Sequence, residues 1–354
     1  MESVKIDMET KIIKIENVKH QAAAIEAAAA VIKSGGIVAF PTETVYGLGA
    51  NGLSAEASAG IYEAKGRPSD NPLILHISDM KMLESIAAEV TTAAKKLLAA
   101  FCPGPITLIL KHKPVVPLRI TGGLDTVGIR MPDNDVARAL IKSAGMPIAA
   151  PSANISGRPS PTTAKAVYRD MKGRIAMILD GGPCTFGIES TIVDCTSTVP
   201  TVLRPGAITM EMLAEVLGRV QLDGALSGGD SIPKAPGMKY THYAPRVPLT
   251  LLEGVPEHMA DGFAKAIAKF EAEGHTVGLI ASREIAEILQ HEPTYVYGDQ
   301  GDIDAIAACL YEALRSFDDV PVDMLLGEGT TDKGLGLAVM NRLHKASGFR
   351  TIKV

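Results

Sequence analysis

The 354-residue chain contains no tryptophan, and aromatic residues make up only 4% of it. Flat rings for stacking on unpaired bases are therefore scarce, which disfavours an extended single-strand nucleic-acid surface. Excess positive charge is missing as well, since the formal net charge is −5. That balance argues against a broad phosphate-binding face but leaves room for a local basic pocket. Cysteine is sparse, and Cys102, Cys184, Cys195 and Cys309 show neither CxxC pairing nor a histidine at zinc-finger spacing. They read as reduced thiols, and for Cys184, in GGPCTFG, a buried structural role outweighs a reactive one. The apolar runs fall far short of a membrane span, and the charged N-terminus MESVKIDMETKIIKIE lacks a signal-peptide core. The expected address is the cytoplasm, with no membrane partner.

Several motifs are also absent. No GxxxxGK[ST] occurs, no strand leads into GxGxxG, and no HExxH helix, EF-hand loop or Ser–His–Asp order is visible. A bound nucleotide would be held by side-chain cations. With no covalent nucleophile, catalysis would rest on positioning and electrostatics, the usual style of transfer at phosphorus.

What is present is ordinary globular composition, 46% apolar and 21% charged, in a chain long enough for two domains. In the first part, helices are expected at 21–33, 55–64 after the N-cap Ser54, 80–88, 91–101, from the cap Asp133 to 144, and at 209–217. Strands are expected at 36–41, 73–77, 106–111, 127–131, 147–150, 175–179, 191–194 and 201–203. The irregular interleaving implies an α/β fold with a twisted mixed sheet rather than a strict doubly wound one. Residues 221–248 are rich in glycine and proline and read as a linker, although Lys239, Tyr240, His242 and Tyr243 crowd together there. A tether is the plain reading, and a segment folding back over a site is the sharper one. From Leu249 a regular strand–helix alternation announces a smaller parallel α/β, Rossmann-like domain. The expected units are thus 12–217, a linker at 218–247, and 248–354.

Four groups carry candidate chemistry. FPTETVYGLGANGLSAEASAGIYEAKGRPSDNPLILHI joins a glycine-rich turn to Lys65 and Arg67 at a helix end, a setting for a polyanion. Alone, this pair could be a solvated turn. In APSANISG, Ser152 and Asn154 alternate, so in an extended segment they face one side. Turn chemistry is the plainer account of them. Arg130 stands at a strand mouth in TVGIRMP, where ligands of α/β proteins bind. Arg204, in LRPG after GIESTIVD, repeats that design.

Taken in order, PTETVYGLG, the KxR of Lys65 and Arg67, NPLILH, the SxN of Ser152 and Asn154, and GIESTIVD resemble the YrdC-like threonylcarbamoyl-AMP synthases. The linker KYTHYAP and the C-terminal domain look like the longer, two-domain form of that family. The resemblance implies a reaction of L-threonine, bicarbonate (or CO2) and ATP with Mg2+, giving threonylcarbamoyl-AMP and pyrophosphate. Downstream threonylcarbamoyl-transfer proteins then modify position 37 of tRNA, with at most a weak tRNA contact here. It further implies a threonine pocket of Thr44, His76, Arg130 and the backbone of Ala150. On the ATP side it places Lys65, Arg67, Asn71, Thr126, Ser152, Asn154, Ser190 and Arg204, with Tyr243 covering the adenylate. No metal ligand follows from it. His76 could instead be a satisfied core histidine. Two competing readings are an RNA-binding module using Lys65, Arg67 and Lys239, and carbamoyl transfer in hydrogenase maturation. Acidic charge counts against the first, and absent CxxC pairs count against the second.

Overall fold

The computed structural model describes residues 9–224 and 242–354. Residues 1–8, Lys239 and Tyr240 lie outside the described residues. The N-terminal unit holds strands β1 (Lys11–Lys14), β2 (Val38–Phe40), β3 (Gly47–Asn51), β4 (Ile74–His76), β5 (Ile106–Lys111), β6 (Thr126–Arg130), β7 (Ile148–Ala149), β8 (Met177–Asp180), β9 (Thr191–Asp194), β10 (Thr201–Arg204) and β11 (Gln221–Leu222). They form one mixed sheet in the order β1-β8-β2-β3-β7-β4-β6-β5-β9-β10-β11. Helices α1 (Ala22–Lys33), α2 (Ala55–Lys65), α3 (Met80–Ile86), α4 (Thr92–Phe101), α5 (Leu118–Thr121), α6 (Asp135–Ala144), α7 (Ala164–Met171) and α8 (Met210–Leu217) cover it. On one side, Ile25, Ala28 and Ile32 of α1 meet Ala137, Leu140 and Ile141 of α6. The opposite core includes Ile61 of α2, Leu97 of α4 and Leu213 of α8. The expected twisted mixed sheet is present.

The C-terminal unit is a five-stranded sheet in the order β14-β13-β15-β12-β16. Its strands are β12 (Leu249–Glu253), β13 (Val277–Ala281), β14 (Thr294–Val296), β15 (Met324–Glu328) and β16 (Thr351–Lys353). Every pairing in it is parallel. Helices α9 (Pro256–Ala272), α10 (Arg283–Leu289), α11 (Ile303–Ser316) and α12 (Leu335–Ser347) connect the strands. The two units share a core. Val45 and Ile188 of the first unit cluster with Leu310 and Leu314 of α11 and Val339 and Leu343 of α12.

Local chemistry explains the elements. Ser54 Oγ accepts from Ala57 N at 3.1 Å to start α2, and Gly66 ends it in the left-handed region at φ 62°. Some expectations change. The cap of α6 is Asn134, whose Oδ1 accepts from Ala137 N at 3.0 Å, rather than Asp133. Helix α7, capped by Thr163, and strands β1, β11 and β16 were not expected, and the sheet continues past 217 to Leu222. The glycine-rich turn of PTETVYGLG is strand β3 instead. Its glycines serve packing, because a Cβ on Gly49 would lie 2.7 Å from Phe40 and 2.8 Å from Ile148. The Phe40 ring in turn meets His76 edge-on, with centroids 6.0 Å apart.

Gly49→Ala should therefore lose about 1–3 kcal/mol by overpacking. Urea denaturation measures this, and an unchanged midpoint would show that Phe40 yields freely.

Candidate active site

Two strand ends create the first half of the site. β4 and β6 run parallel with His76 opposite Arg130, so both side chains emerge at one carboxyl edge. β7 pairs antiparallel with β4, and the chain then turns into the 150–157 segment. Ala150 N donates to Ile74 O at 2.9 Å, which fixes that segment against the strand end. Arg130 is buried, and its Nη2 lies 2.8 Å from the buried carboxylate of Glu43. Its Nε is buried without a hydrogen-bond partner among the described residues. A spare donor on an arginine that lines the cleft suits a second carboxylate.

The second half comes from the end of α2. Lys65 is 3% exposed, and its Nζ donates to Ser152 O at 2.5 Å, Asn154 O at 2.7 Å and Asn154 Oδ1 at 3.4 Å. An ammonium has three protons, so these acceptors use them all. Lys65 thus holds the SxN loop together, which differs from the direct phosphate clamp expected of it. Ser152 Oγ donates to Asn154 Oδ1 at 2.5 Å, while Asn154 Nδ2 donates to Ile155 O and Arg158 O. The loop is organised before any ligand arrives. Arg67 stays nearer the opening, with Nη2 donating to Asn71 O at 3.4 Å and Pro72 O at 3.3 Å.

The third wall is built where β9 begins and β10 ends. Arg204 Nε donates to Ser190 O at 3.1 Å and its Nη2 to Ser190 Oγ at 3.2 Å. Thr107 Oγ1 and Ser190 Oγ are 2.7 Å apart. Beside them Glu189 receives Ser160 Oγ at 2.6 Å, Tyr311 OH at 2.7 Å and Arg342 Nε at 3.1 Å. Burial pushes the Glu189 carboxyl up, but Arg342, Arg204 and these hydrogen bonds outweigh it and hold it at about 2. The end of the linker closes the ring. Tyr243, at φ 66°, stacks on Tyr311 with centroids 5.2 Å apart, and Ala244 N donates to Gly157 O at 2.9 Å.

One cleft is lined by Lys65, Arg67, His76, Arg130, Ala150, Ser152, Asn154, Ser190, Arg204 and Tyr243 together. Three expected residues stand apart from its lining. Thr44 is fully buried, with Oγ1 2.9 Å from that of Thr42, and Thr42 lines the cleft in its place. Asn71 is buried behind Arg67. Thr126 starts β6, four residues before Arg130, and so lies about 13 Å along the strand from the cleft end. Sequence reasoning missed Thr42, Arg158, Ser160 and Glu189 as lining residues, while His242, beside Tyr243 in the linker cluster, does line the cleft. Glu189 had a signal, since a carboxylate between apolar Ile188 and Ser190 in GIES must find a partner.

Residues 30–206 match a family model described as "telomere recombination", and residues 208–348 match "threonylcarbamoyl-AMP synthase, C-terminal domain". The chain is 49% identical over 330 residues to threonylcarbamoyl-AMP synthase of Bacillus subtilis, covering 93% of this chain and 94% of that one. It is equally 49% identical to the enzyme of that name from Pyrococcus abyssi, over 93% of this chain and 96% of the other. The chain belongs to the threonylcarbamoyl-AMP synthase family. Its fold follows that of P. abyssi Sua5 crystallised with L-threonine, with a TM-score of 0.93 at 48% identity. That alignment covers 98% of this chain and 100% of the other. The longer, two-domain form that the KYTHYAP linker and the C-terminal domain resemble is the form that this family member has.

Within this family member, burial governs the titration of the cleft. Burial, reinforced by the charge of Arg130, depresses His76 to about 3, so its imidazole is neutral near pH 7. Burial, with Arg67 next, likewise brings His242 to about 3. Burial and the charge of Arg67 pull Lys65 well below the ordinary lysine value.

An unfolded histidine titrates near 6.5. Between that value and about 3 the unfolded chain binds a proton that folded His76 refuses. Stability is therefore lost as pH falls through this window. Wild type should lose more stability than His76→Asn between about pH 7 and about pH 4.5. Parallel urea-denaturation curves for the two proteins would refute a buried neutral His76.

Proposed function

We infer that this chain is an L-threonylcarbamoyl-AMP synthase that uses L-threonine, bicarbonate or CO2, and ATP. One observation carries the reading. The Arg130–His76 pair at two strand ends and the cations Lys65, Arg67 and Arg204 line the same cleft. Such a cleft suits an amino-acid carboxylate at one end and a polyphosphate at the other. The L-threonine bound by the similar P. abyssi protein supports the first assignment.

In the proposed reaction the threonine amine adds to CO2 and loses a proton, giving a carbamate. A carbamate oxygen attacks the α-phosphorus of ATP, and the bond to the β-phosphate oxygen breaks. Pyrophosphate leaves with that electron pair, so the protein acts as a nucleotidyltransferase. No protein nucleophile takes part. Arg130 holds the threonine carboxylate, with its unused Nε available, and neutral His76 adds no charge to compete with it. Arg67 and Arg204 oppose the charge that grows on the departing pyrophosphate. Lys65 contributes mainly by fixing Ser152 and Asn154, and a nearby phosphate would favour its charged form. His242 and Tyr243 cover the adenylate side, which excludes water from a hydrolysable mixed anhydride.

Magnesium is proposed only as a companion of ATP. Among the described residues no three His, Cys, Asp or Glu side chains gather as a metal cage. The donors present do not fit a resident ion, and no step is assigned to one. An ion entering with ATP would keep phosphate and water ligands. The product would pass to transfer proteins that modify tRNA position 37, in the cytoplasm. Among the described residues no helix is long and apolar enough to cross a membrane. In the RNA-binding reading, which rests on Lys65, Arg67 and Lys239, Lys65 contributes little, because it is buried and spends its protons on loop oxygens.

Pyrophosphate release should require ATP, Mg2+, L-threonine and bicarbonate together. Release at the same rate without threonine would sink the assignment. Arg67→Ala should lower kcat/KM for ATP at least about tenfold, the scale of lost charge-assisted hydrogen bonds, with the melting temperature nearly unchanged. Wild-type turnover in that variant would remove Arg67 from the phosphate site.

A further inference from the structure

We propose that Arg342, on α12 of the C-terminal domain, is a positioning residue for nucleotide binding because it neutralises Glu189 at the phosphate end of the cleft. The inference rests on the ATP reading above. Glu189 lines the cleft directly beside Ser190, and Arg204 lies close enough to feel its charge. An uncompensated carboxylate there would repel a polyphosphate, and a low-dielectric site magnifies the repulsion. The cations aimed at phosphate would also be drawn onto it. The fold answers this with donors from the C-terminal domain.

Arg342 is 0% exposed, and its fork spans both turns that carry the phosphate-side residues. Nε donates to Glu189 Oε2, Nη2 to Glu189 O at 3.4 Å, and Nη1 to Pro205 O at 2.6 Å. One planar group thus sets the spacing between the GIES turn, with Ser190, and the LRPG turn, with Arg204. Tyr311 OH adds a second C-terminal donor to Glu189 Oε2. The other carboxylate oxygen orients Ser160, which also lines the cleft. Neighbouring contacts hold the same wall. Arg315 donates to Pro159 O and to Asp170, and Arg158 pairs with Asp318. The C-terminal domain therefore completes the electrostatics of a cleft whose lining cations, among the described residues, all belong to the N-terminal unit.

Equilibrium binding of a non-hydrolysable ATP analogue to the full chain tests this, alongside L-threonine binding and steady-state KM values. Arg342→Met should weaken the analogue at least about tenfold and raise KM for ATP, while L-threonine binding changes less than about threefold. Adding Glu189→Gln to Arg342→Met should restore analogue affinity to within about threefold of Glu189→Gln alone, because the charge to be neutralised is gone. Tyr311→Phe, which removes only one donor, should weaken the analogue about two- to fivefold. A purely structural salt bridge would lower stability without this selective loss or its rescue. If Arg342→Met does not fold, the double variant and Tyr311→Phe decide. Wild-type analogue affinity in folded Arg342→Met, or no rescue by Glu189→Gln, would overturn the proposal. Failure of the wild-type chain to bind the analogue would overturn the ATP reading instead, and this inference with it.

Discussion

Like charges held close together in a poorly solvated cleft repel, and this protein gathers five of them among its described residues. Lys65, Arg67, Arg130, Arg158 and Arg204 all line one site, and Lys65, Arg130 and Arg204 are buried. Each is tethered by oxygen atoms of a different origin. Lys65 is held by loop carbonyls, Arg130 by Glu43, Arg158 by Asp318, Arg67 by the main chain of Asn71 and Pro72, and Arg204 by Ser190. The loops around the cleft owe their shapes to these tethers. The positive field stays uncollapsed because the acceptors are mostly neutral oxygens, which orient a cation without cancelling it. That is the condition under which two anionic substrates can be brought together.

The compensation crosses domain boundaries. Glu189 sits among the cations of the first unit, yet two of its donors, Tyr311 and Arg342, come from the second. The shared apolar core around Val45, Ile188, Leu310 and Leu343 keeps those donors in register. A buried ion pair of this kind is weak evidence for stability, because desolvation offsets much of its attraction. Its value lies in geometry and charge at the cleft wall. Tyr243 adds the linker to the same assembly through its stacking on Tyr311.

Much of the architecture was legible in the chain. The alternation after Leu249 marked the parallel sheet, because buried parallel strands are short apolar runs between amphipathic helices. Strand β3 was hidden by its glycines, which read as a turn until Phe40 and Ile148 are seen packed against them. Helix α7 was hidden in a polar stretch whose buried apolar residues are Ala164, Val167 and Met171. Strand β1 is largely exposed, so its apolar signal is weak.

The sequence by itself determined the inventory: which cations exist, where glycine and proline free the backbone, and which motifs are present. Motifs such as KxR, SxN and GIES are local, and local chemistry is written in local residues. Only the tertiary structure decided what each residue faces. The parallel register of β4 and β6 sets His76 beside Arg130 and leaves Thr126 at the far end of its strand. Burial turned Lys65 toward Ser152 and Asn154, more than eighty positions away. Glu189 found Arg342 across an even longer separation. Such pairings are fixed by packing and desolvation of the whole chain, and no stretch of sequence contains both partners.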